Sequence, residues 1–119
     1  MDFDSAIQAH QDWKAKLATY IRTKDGSLDE NTVTKDNVCP LGQWLHGEGN
    51  AKYGSDSEFK ELVAKHADFH KAAADIVRRV NAGETVNEGS TLDMTSPYGV
   101  VSKEVIQLII REKLKAARA

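Results

Sequence analysis

Cysteine is close to absent from this chain of 119 residues: Cys39 is its only one, so no internal disulfide can form. A lone thiol fits a reducing compartment, where such a residue serves as a metal ligand, a redox group or buried filler. Charge of one sign is missing too, with 16 Lys and Arg against 18 Asp and Glu and a formal net charge of −2. Without a basic excess there is little to attract a phosphate backbone, which argues against a nucleic-acid partner. No stretch approaches the 18 or so consecutive apolar residues of a membrane span, so no membrane association is expected. The opening MDFDSAIQAH is acidic and amphipathic, unlike a secretory leader, and the expected location is the cytoplasm. Strand-like alternation, internal repeats and low-complexity segments are all lacking. What remains, 40% hydrophobic and 29% charged residues in interspersed order, suits one globular domain over residues 1–119 that buries a core without disulfide support.

Helical periodicity dominates the rest. Phe3, Ile7, Trp13, Leu17, Tyr20 and Ile21 recur at helical spacing and predict an amphipathic helix from Phe3 to Arg22, with His10 on its apolar face. The turn-rich stretch from Thr23 to Val38 reads as an exposed loop. Pro40 suits the first position of a helix because it has no N–H to lose there. Cys39 then stands at or beside the N-cap of a short helix closed by Gly47, a spot that favours a thiolate. Ser55 and Glu58 have capping-box spacing. Behind them Phe59, Leu62, Val63, His66, Phe69, His70, Ala73, Ile76, Val77 and Val80 form an apolar stripe that ends near Gly83. The stretch from Glu84 to Thr95 is polar, with room for one helical turn. Ser96-Pro97 then opens a last helix to about Ala117, on which Val101, Val105, Leu108 and Ile109 form either core or a subunit face. The expected fold is all-α, an up-and-down helical bundle of three long helices plus one short helix carrying the cysteine.

His66 and His70 stand one turn apart on the apolar face of the third helix in this series. One histidine in such a place is most simply a hydrogen-bonded core residue. Two need polar partners where few exist, and a metal ion satisfies both at once. His10 comes from the apolar face of another helix and Cys39 from a helix cap, which makes four candidate ligands. Three neutral imidazoles and one thiolate form a four-coordinate set suited to Zn2+. His66-Ala67-Asp68-Phe69-His70 lacks the Glu of metalloprotease HExxH helices. His46 falls away from the cysteine's end of the short helix and is expected to face solvent. Trp13 and Trp44 read as packing that walls the site from water, and Asp12 and Asp68 either orient ligand imidazoles or are plain surface carboxylates.

His10-Gln-Asp-Trp13-Lys14, then Cys39-Pro-Leu-Gly42-Gln-Trp44-Leu45-His-Gly47, then His66-Ala-Asp-Phe69-His70 with Ala73 and Ala74 behind it, resembles the chemoreceptor zinc-binding domain family. The resemblance runs from the first helix through the third. Separations of 29, 27 and 4 residues between His10, Cys39, His66 and His70 look like that family's three-histidine, one-cysteine site, and the resemblance implies that these four hold zinc. It also implies a homodimeric helical domain of bacterial chemoreceptors and diguanylate cyclases. Such a domain senses zinc or oxidants such as hypochlorous acid and passes the signal to an output domain or protein, in chemotaxis or cyclic-di-GMP signalling.

Four protein ligands leave zinc no open position, so the site is expected to be regulatory and the chain to be no enzyme. The competing reading is a zinc-dependent hydrolase using His10, His66 and His70 with water as the fourth ligand. It needs Cys39 outside the donor set and a general base, for which only Asp68 offers itself, pointing round the helix. A di-iron site would need Glu-x-x-His pairs on facing helices, and none is present. Cys39 is expected to be the moving part: oxidised to the sulfenic acid, it would free the short helix from its anchor.

Overall fold

The three long helices form where apolar periodicity puts them. The computed structural model describes residues 2–118, with the backbone alone for Arg118. Helix α1 spans Phe3–Thr23, α5 Ser57–Asn81 and α7 Pro97–Arg118, and four short helices lie between them: α2 (Glu30–Val33), α3 (Pro40–His46), α4 (Glu48–Tyr53) and α6 (Glu88–Thr91). No strand occurs among the described residues. The all-α class therefore holds, while the expected count of one short helix does not. Helix α6 is the turn anticipated before Thr95. Helices α2 and α4 are additions, at four and six residues too brief for a 3.6-residue period to stand out.

Helix α5 packs along α7, and α1 lies against both; α2 rests on α5, and α3 sits between α1 and α4. Leu17 from α1, Phe59, Leu62, Phe69, Ala73 and Val77 from α5, and Val105 and Ile109 from α7 are essentially shut off from water. Each large side chain among them stabilises the fold by roughly 1.5–3 kcal/mol through burial. Val101 and Leu108 are buried as well, so the four apolar residues singled out on the last helix belong to the core and not to a subunit face. The start of α5 also departs from expectation. Its N-cap is Asp56, not Ser55, and the Asp56 side chain makes no capping bond; it meets Lys115 of α7 at 3.1 Å instead. An ion pair between long helices has displaced the local capping box.

Helices α3 and α7 begin with the same local device. Cys39 Sγ accepts a hydrogen bond from the Gly42 N–H at 3.2 Å, and Ser96 Oγ accepts one from the Gly99 N–H at 3.0 Å. In each case a proline follows the cap and the glycine is mandatory. A Cβ on Gly42 would lie 1.7 Å from the Asp36 carbonyl oxygen, and one on Gly99 would lie 2.0 Å from that of Asp93. Asp36 to Gly42 and Asp93 to Gly99 are thus a short internal echo, Asp-x-x-Cys/Ser-Pro-x-Gly, in a chain without repeats on any larger scale.

Candidate metal centre

The cap geometry aims the cysteine inward. With Cys39 extended at φ −76° and ψ 159°, the residue is 8% exposed and its sulfur faces α5. There it lies 3.5 Å from His66 Nε2 and 3.4 Å from His70 Nε2, and the two nitrogens are 3.1 Å apart. His70 is oriented from behind: its Nδ1 is 2.8 Å from the carbonyl oxygen of Val33 in α2. A carbonyl can only accept, so Nδ1 carries the proton and Nε2 presents a lone pair to the cluster. The edge of Trp13 covers His70 at a centroid distance of 5.4 Å.

Burial keeps these imidazoles neutral. It pushes the pKa of His66 down to about 3 and that of His10 down to about 4, with the neighbouring His70 acting in the same direction on both. Burial lowers His70 as well, against the opposing pull of its bond to Val33. The neutral ring is the form that can donate a lone pair to a metal. Cys39 corrects an expectation. Burial pushes its thiol up, and the opposing hydrogen bonds from the Gly42 and Leu41 N–H groups do not outweigh that. The helix start alone therefore does not make a thiolate here, and a cation beside the sulfur would favour one.

The donor set fits such a cation. Tetrahedral zinc with bonds of about 2.05 Å to nitrogen and 2.3 Å to sulfur has edges of about 3.3 Å between nitrogens and about 3.6 Å between nitrogen and sulfur. The observed 3.1, 3.4 and 3.5 Å make one face of that figure. All three residues are buried, and their donor atoms lie within 4.8 Å of one another. A profile of the chemoreceptor zinc-binding domain matches residues 10–77, a range that contains every one of the four candidate ligands. The chain belongs to the chemoreceptor zinc-binding domain family. No curated protein and no solved structure matches it.

As a member of that family, the chain brings three of the four candidate ligands together and leaves His10 beside them. His10 is 2% exposed, packs against Phe69 with ring centroids 4.2 Å apart and the planes tilted by 50°, and has Nε2 2.8 Å from Ser102 Oγ. Its Nδ1 is buried without a partner. His10, Cys39 and His66 line one void of about 10 Å3, which is the room a single small atom needs. His46 stays outside the site, exposed and 3.2 Å from Asp36. Trp13 packs on the site as expected, whereas Trp44 belongs to a separate aromatic cluster with Phe3, Tyr53 and Phe59. Asp12 accepts from Gln8 and Asp68 is exposed, so the structure assigns neither of them to a ligand ring. Sequence reading missed Val33 and Ser102. A backbone carbonyl leaves no trace in residue type, and Ser102 lies on a helix beyond the matched range.

Proposed function

We propose that this chain is a zinc-binding sensory module in which His10, Cys39, His66 and His70 bind one zinc ion. The observation that carries the reading is the cluster of Cys39 Sγ, His66 Nε2 and His70 Nε2 at the edge lengths of a zinc tetrahedron. Zinc, when bound, holds Cys39 as a thiolate and, with four protein donors, offers no position to a substrate. A hydrolase would need Cys39 outside the donor set, and the short sulfur–nitrogen distances speak for the regulatory site.

The stimulus is zinc itself or an oxidant acting on Cys39. A cavity of about 490 Å3 between α1, α2 and the segment before α3 has Cys39 and His70 in its wall, which gives a small diffusible oxidant a path to the sulfur. Hypochlorous acid would transfer its oxygen to the thiolate of Cys39, forming the sulfenic acid as chloride leaves. The sulfenic acid is a poorer donor, and the start of α3 loses its anchor.

The output is a chemoreceptor or diguanylate cyclase partner in the cytoplasm, governing chemotaxis or cyclic-di-GMP signalling, and the module works as a homodimer. Support for the dimer comes from α7. Val100, Lys103, Gln107, Ile110 and Leu114 share one outward stripe of the helix, with Val100 at 46%, Ile110 at 42% and Leu114 at 51% exposure. A second copy laid on the same stripe by a twofold axis would cover all three apolar side chains in both subunits. No helix among the described residues is long and apolar enough to cross a membrane.

Metal analysis combined with thiol titration of the native protein tests the zinc site. One zinc per chain is expected, with Cys39 blocked until a chelator removes the metal. A freely titrating Cys39 in the zinc-loaded protein would overturn the four-ligand assignment.

A further inference from the structure

We infer that Ser102 of α7 is a positioning residue for the metal centre, holding His10 in the one tautomer and orientation that offers Nδ1 to the ion. The inference rests on the proposal that His10 is the fourth ligand. A neutral imidazole carries one proton, so a lone pair is free on Nδ1 only when Nε2 bears the hydrogen. In this buried place that hydrogen needs an acceptor. Ser102 Oγ supplies it at 2.8 Å, the one side-chain hydrogen bond of the ring among the described residues. The other nitrogen, Nδ1, is buried with no partner among the described residues, as is Nδ1 of His66, and the His10 ring borders the same one-atom void as Cys39 and His66. An orphaned nitrogen beside such a void is the arrangement a metal ion would complete.

His70 offers an independent parallel. There the protonated Nδ1 is donated to the Val33 carbonyl and Nε2 faces the cluster. At His10 the roles of the two nitrogens are exchanged, because the acceptor stands on the other side of the ring. The two acceptors come from α2 and α7, so both imidazoles are held from behind by elements that contribute no ligand. Partners of this kind typically contribute tenfold to a hundredfold to metal affinity. Helix α7 lies outside the matched residues 10–77, so this contact adds to the centre an element that the family match does not include.

The test compares zinc affinity, measured by chelator competition, in wild-type, Ser102→Ala, Ser102→Thr and His10→Ala chains. It adds long-range proton–nitrogen NMR of the His10 ring in the zinc-loaded wild type, which needs no variant to fold. Ser102→Ala is expected to bind zinc tenfold to a hundredfold more weakly, Ser102→Thr to recover most of that loss because it keeps the hydroxyl, and His10 to show a protonated Nε2 and a coordinated Nδ1. Coordination through Nε2, or a Ser102→Ala chain that binds zinc as tightly as wild type or more tightly, would overturn the role of Ser102. If that result came with a large loss in His10→Ala, the four-ligand reading would survive alone. An unchanged affinity in His10→Ala would remove both.

Discussion

Cys39 and Ser96 occupy the same position in two copies of one helix start, yet their side chains serve different ends. Each accepts from the N–H of a glycine three residues on, at 3.2 and 3.0 Å. The Ser96 hydroxyl turns back to donate to the Asp93 carbonyl at 2.6 Å, whereas the Cys39 sulfur faces two imidazoles. A serine is sufficient to start such a helix. The sulfur at position 39 therefore answers to the histidines and not to the cap.

Cys39→Ser should accordingly separate the two roles. The metal-free variant keeps the cap and should melt within about 0.5 kcal/mol of wild type, while Cys39→Ala should lose about 1 kcal/mol with the cap. Zinc affinity should fall at least a hundredfold in both, by roughly the scale on which even indirect partners of a ligand matter. Denaturant melts of the metal-free chains and chelator competition read the two effects. A Cys39→Ser chain that held zinc like wild type would refute the sulfur's role.

Glu112 gives a pH signature independent of the metal. It is 1% exposed on α7, and burial together with the adjacent Asp56 raises its pKa from the ordinary 4.5 to about 7, with Glu58 acting the same way and Lys115 opposing. The folded chain thus binds this proton more tightly than the unfolded one. The resulting stabilisation is complete below about pH 4.5 and is lost as pH rises through about 7. Glu112→Gln mimics the protonated form and removes that dependence. Its stability relative to wild type should rise between pH 5 and pH 8 by about 1 to 3 kcal/mol. An unchanged difference between the two pH values would show that Glu112 is ionised in the fold.

The proposed dimer predicts a concentration-dependent mass. Sedimentation equilibrium at tens of micromolar, roughly the range of weak association, should give a dimer for wild type and a monomer for Ile110→Lys combined with Leu114→Lys. Both positions are exposed in the single chain, so the double variant should fold normally by circular dichroism. A monomeric wild type at that concentration would refute the twofold contact on α7.

Oxidant sensing predicts a local change. One equivalent of hypochlorous acid added to zinc-loaded protein should modify Cys39 and raise amide hydrogen exchange across residues 39 to 47, with α5 and α7 unaltered. Modification without a change in exchange would leave zinc occupancy as the signal.

The helical class and the long helices could be read along the chain because each apolar stripe is a local property of 3.6-residue periodicity. The His66–His70 pair was legible for a related reason, since i, i+4 spacing is local geometry, whereas Cys39 was joined to it in the sequence by ligand chemistry and family resemblance, across 27 and 31 residues. Contacts between distant segments decided the rest. Helix α5 starts at Asp56 in place of the Ser55–Glu58 capping box, with Asp56 and Glu58 both paired to Lys115 of α7, and burial overrode the helix start at Cys39 by making its charge costly. The Val33 carbonyl fixed the tautomer of His70 across 37 residues, and Ser102 met His10 across 92. No spacing rule encodes such pairs, since they exist only once α1, α2 and α7 have closed around α5. Residue types told which atoms can bind a metal; at His70, packing against the Val33 carbonyl determined which nitrogen of the ring is free to do so.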